Sequence, residues 1–181
     1  MNYVLLSLVC GVVVVLLVIL LRMFLKQRRF GVPFVRSKSQ CIDLFIDHLH
    51  MSPRQTFLDL WCGDGVVMAA VLEKFPEVYA KWYEFNPEVC ALSQEFQKKY
   101  GKRFVIQNTD FFKEDFSEAS VIYCYLLPRI LKRVWKKIMQ ECIPWTHVYT
   151  YVFPLKDIAP IKQIQVPVPW KKDDILYVYL I

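Results

Sequence analysis

From residue 40 onward, short apolar runs of strand length alternate with segments of helical periodicity, and this alternation restricts the possible folds more than any other feature. Strands separated by helices are joined by crossover connections, so they lie parallel in one sheet with helices on both faces. The last two runs are separated only by a turn at residues 170–174, which predicts an antiparallel hairpin. The sequence therefore predicts an α/β fold with a mostly parallel sheet and a C-terminal hairpin.

The boundaries of these elements follow from periodicity and from the turn residues between them. Pro87 suits the first turn of a helix, because its missing N–H would have no partner there. The predicted helices cover residues 41–49, 66–75, 87–100 and a segment from Pro128, and the predicted strands cover residues 56–61, 78–83, 104–107, 121–126, 146–153, 163–168 and 175–181.

The N-terminal segment differs from the rest, because Val4 to Leu21 is an apolar run interrupted only by Ser7, Cys10 and Gly11. Eighteen helical residues span roughly 27 Å, which is close to the thickness of the hydrocarbon core of a bilayer. Bases follow the run and none precedes it, which is the reverse of a cleaved signal peptide. We therefore expect a single transmembrane anchor over residues 1–21.

A basic linker is expected over residues 22–39, followed by a folded domain over residues 40–181. The linker contains six bases and no acid. Its charge of +6 equals the formal net charge of the whole chain, so the domain itself is formally neutral. By the positive-inside rule, these bases place the domain on the cytoplasmic side of the membrane. The neutral domain and the lack of a recognised motif indicate no nucleic-acid partner.

Composition excludes several other classes of protein. Hydrophobic residues make up 55% of the chain, above the roughly 45–50% of soluble proteins, which excludes disorder. The six cysteines are isolated, without a CxxC or a Cys/His pair at metal spacing. We therefore expect reduced thiols and no metal site.

The most informative motif is residues 57–65 (FLDLWCGDG), an apolar strand that leads into a glycine-bearing turn and then a helix. At such a turn, glycine lets the backbone approach a ligand and the helix N-terminus favours negative groups. The dinucleotide fingerprint GxGxxG does not fit, because only Gly63 and Gly65 are present and Met68 stands at the last position. The motif indicates a nucleotide-like ligand.

Acidic residues follow three strands in order: Asp59, Glu84 and Asp110. With the glycine turn, this order resembles the class I S-adenosylmethionine-dependent methyltransferases, which have a Rossmann-like sheet. The resemblance implies that Glu84 accepts hydrogen bonds from the ribose hydroxyls and that Asp110 reaches the adenine amino group. It implies the following cofactor-binding residues: Phe34, Asp59, Trp61, Gly63, Asp64, Gly65, Glu84, Asn108 and Asp110.

A narrower resemblance appears in residues 32–35 (VPFV), 59–65, 83–87 (YEFNP) and 125–128 (YLLP). These motifs resemble the small membrane-anchored protein-lysine methyltransferases of the ATP synthase c-subunit type. The resemblance implies that Phe34 lies over the cofactor, and that Tyr125 and Pro128 border the methyl group and the incoming amine as the catalytic residues.

The resemblance implies a membrane-anchored enzyme that methylates a lysine of a membrane-associated protein, in a mitochondrial membrane if the source is eukaryotic. Three motif positions depart from the family, since Trp61 replaces a glycine, Arg36 a proline and Ser120 an acid. Because a side chain at Trp61 competes with the cofactor for space, a catalytically inactive binding module stays an alternative. Methylation of a lipid or a small molecule is the other alternative.

The helix predicted after Pro128 carries five bases at residues 129–137, opposite an apolar face. One interpretation is a solvated basic face over a buried one. The other is contact with anionic lipid headgroups, because the anchor already holds the domain near a bilayer.

Overall fold

A seven-stranded sheet organises the domain in the computed structural model, with the strand order β3-β2-β1-β4-β5-β7-β6. The structure describes residues 3–30, 35–60, 63–84, 86–156, 158–170 and 172–181, and within the N-terminal helix it describes the side chains of residues 8–22 only. The chain divides into two units, Met1–Phe34 and Val35–Ile181, and each is described by itself. The strands are β1 (Thr56–Asp59), β2 (Tyr79–Tyr83), β3 (Phe104–Gln107), β4 (Ala119–Cys124), β5 (His147–Tyr151), β6 (Lys162–Val166) and β7 (Asp174–Leu180).

Strands β1 to β5 pair in parallel, and β7 pairs antiparallel with both β5 and β6. The chain builds outward from β1 to β3 and then crosses back to place β4 on the other side of β1. This reversal creates a crevice at the carboxyl ends of β1 and β4, where open α/β sheets bind ligands. The predicted mixed sheet with a terminal hairpin is confirmed.

The helices are α1 (Tyr3–Phe30), α2 (Ser39–His48), α3 (Val66–Lys74), α4 (Pro87–Leu92), α5 (Gln94–Tyr100) and α6 (Pro128–Glu141). They cover both faces of the sheet, as predicted. Phe45 of α2 and Val71 of α3 belong to one buried cluster, and Leu131 and Val134 of α6 belong to the other. Successive strand residues alternate between the two clusters, because side chains in a strand point to opposite faces.

Most element bounds differ from the prediction by one or two residues, and one predicted helix is divided. The helix predicted over residues 87–100 is two helices that break at Ser93, which is fully buried and whose hydroxyl donates to the Cys90 carbonyl over 2.9 Å. Strand β4 ends at Cys124 rather than at residue 126, one residue beyond Tyr123, which lies opposite the last residue of β1, Asp59.

The break at Ser93 makes room for the turn that joins β1 to α3. Gly65 caps α3 with a φ of +84°, in the left-handed region. A Cβ at this position would lie 2.9 Å from Ser93 Cβ and 3.0 Å from Phe104 Cζ. Glycine is therefore required here for two reasons, its backbone conformation and the close approach of α4 and β3.

The N-terminal unit contains α1, a helix of 28 residues that includes residues 3–21 of the predicted anchor and the first nine residues of the predicted linker. Its described side chains, at residues 8–22, are all exposed. No helix among the described residues combines the length and the hydropathy needed to cross a membrane. The membrane anchor therefore stays a prediction.

Three consecutive residues, Arg36 to Lys38, fasten the segment before α2 to the carboxyl edge of the sheet; we call residues 36–38 the strap. The Arg36 Nε atom lies 2.8 Å from Asp64 Oδ2 in the turn after β1. The Ser37 hydroxyl lies 3.1 Å from the hydroxyl of Tyr123 on β4.

The ion pair of the third strap residue is more buried than that of the first. Lys38 Nζ donates to Asp174 Oδ2 over 2.7 Å, and the Tyr151 hydroxyl donates to the same oxygen over 2.9 Å. The Lys38 and Asp174 side chains are 38% and 8% exposed, whereas those of Arg36 and Asp64 are 64% and 17% exposed. The strap is therefore held mainly at its Lys38 end, because solvent screens an exposed ion pair.

We predict that Gly65→Ala lowers the free energy of unfolding by about 2–5 kcal/mol. Left-handed strain contributes about 1–2 kcal/mol, and overpacking against Ser93 and Phe104 contributes about 1–3 kcal/mol. Urea unfolding measures the loss. In a double-mutant cycle, Ser93→Gly relieves part of the clash, so the double variant should lose about 1 kcal/mol less than the sum of the single losses. Additive losses would contradict the close approach.

We predict that Lys38→Met lowers the free energy of unfolding by about 1–2 kcal/mol, because it removes the cation beside a buried carboxylate. The matched variant Arg36→Met, from the other end of the strap, should lose less than about 1 kcal/mol because its ion pair is exposed. Urea unfolding measures both losses. Equal losses would show that burial does not determine how much each ion pair contributes to the free energy of unfolding.

Candidate cofactor and acceptor site

The predicted acidic residues meet at the carboxyl edge of the sheet. Asp59 ends β1 and is 1% exposed, and Glu84 directly follows β2 and is 3% exposed. Acids that merely end a turn are solvated, whereas a buried carboxylate needs a specific environment to offset the loss of hydration. The burial of both therefore favours a binding role over a role as turn residues.

Glu84 is held in place by the backbone around it. Its Oε1 atom accepts the N–H of Asn86 over 2.7 Å, and its own N–H donates to the Gln107 carbonyl at the end of β3. The Asn108 side chain donates to the Glu84 carbonyl over 2.7 Å. Asn108, predicted to bind the cofactor, thus orients Glu84 in the structure.

The glycine turn faces the same edge. Gly63 and Gly65 have φ values of +63° and +84°, and the N–H of Val66 lies 3.4 Å from Asp64 Oδ1. Gly65 has a packing role against α4 and β3, described above. Asp64 is also the ion-pair partner of Arg36, a contact that the family resemblance did not anticipate.

Asp110 follows β3 and caps a short 3-10 turn, Phe111–Lys113, by accepting the N–H of Phe112 over 3.0 Å. The structure thus gives Asp110 a local role at the edge where the adenine was expected. Two further predicted cofactor residues, Phe34 and Trp61, lie outside the described residues.

On the other side of the crevice, aromatic side chains follow β4 and end β5. Tyr125 is partly buried, and its ring centroid lies 4.8 Å from that of Tyr151. Pro128 is exposed and begins α6. The structure therefore brings Tyr151 beside the predicted acceptor residue, and sequence reasoning missed it because Tyr149 and Tyr151 read simply as the buried face of a strand.

Burial controls the protonation of these groups. It raises the pKa of the Tyr151 hydroxyl, and the hydrogen bond to Asp174 adds to the shift. It also raises the pKa values of the Tyr123 hydroxyl and the Cys124 thiol well above their ordinary values, and the charge of Asp59 adds to both shifts. These groups therefore stay protonated at neutral pH and present neutral dipoles to the site.

The bases of α6 share one face of the helix but differ in their contacts. Arg133 lies over the ring of Phe112 at 4.1 Å, and Lys137 pairs with Glu141 and is only 13% exposed. Arg129, Lys132 and Lys136 are exposed. Arg133 is exposed as well, and all five bases fall within about 140° of the helix circumference, so they share one face as the sequence indicated. Two of the five also contact aromatic rings of the domain.

These residues fit an adenosyl cofactor. A carboxylate accepts up to about four hydrogen bonds, so the bond from Asn86 to Glu84 is compatible with further bonds from ribose hydroxyls. The buried carboxylate of Asp59 ends the strand that leads into the glycine turn, and it suits a positively charged ligand group. In the part of the chain that the structure describes, no group of three or more His, Cys, Asp or Glu could hold a metal ion.

Comparison with known proteins agrees with this site. A family model described as the ANTKMT methyltransferase domain matches residues 59–162, more than half of the chain. A protein-lysine N-methyltransferase of Saccharolobus islandicus (strain REY15A) is 27% identical over 137 residues, which cover 75% of this chain and 85% of the relative.

Solved structures share the fold at low identity. An RNA methyltransferase from Salinibacter ruber, in complex with S-adenosyl-L-homocysteine, is 21% identical with a TM-score of 0.72 and covers 81% of this chain and 94% of its own. The C-terminal domain of precorrin-6Y C5,15-methyltransferase from Rhodobacter capsulatus is 12% identical with a TM-score of 0.62, covering 86% and 96%. The same fold thus occurs in enzymes named for unrelated acceptors, so the fold alone does not identify an acceptor.

The family match and the curated relative confirm the expected class I methyltransferase and its resemblance to the lysine-specific members. The chain belongs to the ANTKMT methyltransferase domain family, and it is an S-adenosylmethionine-dependent methyltransferase.

Proposed function

We propose that this enzyme methylates the ε-amino group of a lysine in a membrane-associated protein. One observation carries the proposal: the buried carboxylates Asp59 and Glu84 lie on one side of the crevice, and the aromatic pair Tyr125 and Tyr151 lies at the strand ends on the other. A lysine acceptor is supported by the family match and by the named activity of the curated relative.

In this proposal, the cofactor side of the crevice positions the methyl donor. Glu84 accepts hydrogen bonds from the ribose, Asp59 faces the positively charged part, and the backbone of Gly63 approaches the ligand closely. S-adenosylmethionine supplies a methyl group that its sulfonium already activates. The protein therefore needs chiefly to align the amine with that methyl group and to exclude water.

The acceptor side must hold the lysine as a neutral amine. Partial burial beside the aromatic pair, against the ring of Tyr125, disfavours the ammonium form, which lowers the pKa of the substrate amine. A protonated phenol can accept a hydrogen bond from the amine and orient it. Pro128 forms the outer border of this pocket.

We propose further that residues 4–21 anchor the enzyme in a bilayer and that the domain lies on the cytoplasmic side, or in mitochondria if the source is eukaryotic. This is supported by the apolar run, which contains no charged residue, and by the four bases within the nine residues after it. An anchored enzyme would meet membrane-associated substrates at high effective concentration.

Radiolabelled methyl transfer in a membrane fraction tests this function. A labelled protein band with methyl-lysine identified by mass spectrometry is the expected result. Labelled lipid instead of protein would indicate a lipid methyltransferase. The absence of any labelled product would favour the alternative of a catalytically inactive binding module, in which Trp61 blocks the cofactor. Calorimetry of the Trp61→Gly variant with S-adenosylmethionine then measures whether removal of the indole restores cofactor binding.

We predict that Glu84→Gln weakens S-adenosylmethionine binding by about 10- to 100-fold, because hydrogen bonds to a charged group contribute about 1.5–3 kcal/mol. Isothermal titration calorimetry measures the affinity, and thermal unfolding verifies that the variant is folded. The matched control Glu95→Gln, at an exposed position on α5, should bind like the wild type. Wild-type affinity of Glu84→Gln would remove Glu84 from the ribose site.

We predict that Tyr125→Phe lowers kcat at least about tenfold with little change in cofactor affinity, since it keeps the ring and removes only the hydroxyl that contacts the amine. Steady-state methylation and calorimetry separate the two effects. Tyr79→Phe, an exposed tyrosine on β2, is the control. An unchanged kcat would exclude a catalytic role for the Tyr125 hydroxyl.

A further inference from the structure

A groove of about 370 Å³ lies between the first half of α6 and the segment that follows β5. Trp135, together with the buried Leu131 and Leu155, gives it an apolar lining. Its volume is within the range of cavities that bind ligands.

The groove is strongly basic. Four cations line it: Arg129, Lys132 and Lys136 from α6, and Lys156 from the segment after β5. Among the residues that the structure describes, none that lines the groove is acidic. The other two bases of the helix, Arg133 and Lys137, contact the rings of Phe112 and Phe116 and do not line the groove.

We propose that this groove binds an acidic segment of the protein substrate next to the target lysine; the assignment rests on the proposed lysine methylation. Clusters of cations over an apolar floor recognise acidic motifs, and complementary charge gives specificity and faster association. The groove starts at Pro128, the residue that also borders the acceptor pocket.

The dimensions indicate how long the acidic segment is. Arg129 and Lys136 are seven residues apart on one helix, a distance of about 10 Å along its axis. An extended chain covers this distance in about three residues. The preferred substrate therefore carries two or three Glu or Asp residues within a few positions of the lysine.

The shape of the site favours a peptide over a membrane surface. A bilayer is flat on this scale and would contact a flat or convex basic face. Here the cations come from two elements, with Lys156 on the segment opposite the helix, and an indole lies among them. An extended peptide can place its backbone over the apolar floor and its carboxylates at both sets of cations.

The test uses the full chain in a neutral detergent and fluorescent twelve-residue peptides that contain one lysine. One peptide pair has Glu-Glu-Glu before or after the lysine, and a matched pair has Gln-Gln-Gln. We expect the better Glu peptide to bind at least about tenfold more tightly than its Gln counterpart in fluorescence anisotropy. Because the Debye length falls to about 3 Å at 1 M salt, the preference for the Glu peptide over the Gln peptide should decrease as salt is added.

Charge reversal assigns the binding to the groove. We expect the double variant Lys132→Glu/Lys136→Glu to weaken binding of the Glu peptide at least about tenfold. The single variant Lys156→Glu should weaken it about threefold. The matched control Lys98→Glu/Lys102→Glu reverses two exposed lysines near α5 and should leave binding unchanged. Equal affinity for Glu and Gln peptides, or unaltered binding by Lys132→Glu/Lys136→Glu, overturns the proposal.

Two further measurements separate this proposal from its alternatives. The first uses short-chain phosphatidylserine as a monomer. If this lipid binds, if Lys132→Glu/Lys136→Glu abolishes its binding, and if the peptides show no charge preference, then the groove binds lipid headgroups and the proposal is wrong. If the Glu peptide binds in the groove but no lysine is methylated in the membrane fraction, the groove assignment stands and lysine methylation fails. If a protein lysine is methylated and Lys132→Glu/Lys136→Glu leaves that methylation unchanged, lysine methylation stands and the groove assignment fails.

Discussion

The site depends on one feature of the sheet, the return of the chain from β3 to the far side of β1. Parallel pairing of β4 with β1 opens a crevice at their carboxyl ends, and each loop after a strand then projects a side chain toward it. The break at Ser93 lets α4 and β3 approach Gly65, which fixes the turn before α3. Packing behind the crevice thus sets the position of the groups that face it.

The two sides of the crevice differ in chemistry because they differ in what is buried. Asp59 and Glu84 are buried carboxylates, and backbone donors orient Glu84. Tyr125 and Tyr151 are aromatic, and burial keeps the Tyr151 hydroxyl protonated. A cationic donor on one side and an amine acceptor on the other match this division, and the transfer then requires alignment rather than a nucleophilic side chain.

The strap and α6 extend this arrangement beyond the crevice. Lys38 joins the segment before α2 to Asp174, which also accepts the Tyr151 hydroxyl, so the entry to the domain and the acceptor side share one carboxylate. On α6, Arg133 and Lys137 lie against rings, while Arg129, Lys132 and Lys136 face the groove. The helix therefore places two bases against aromatic rings and three along the groove, which is the site proposed for an acidic segment of the substrate.

Sequence alone determined the alternation of strands and helices, the glycine turn at residues 63–65 and the order of Asp59, Glu84 and Asp110, because periodicity and turn chemistry are local properties of the chain. These suffice for the mixed sheet, and their resemblance to a known family indicates the class of cofactor. Only the tertiary structure decided that α4 and α5 separate at Ser93, that Asn108 orients Glu84, that Arg36 pairs with Asp64 and that Tyr151 lies beside Tyr125. Each of these joins residues from different elements, and such contacts depend on how the elements pack, which no local pattern encodes.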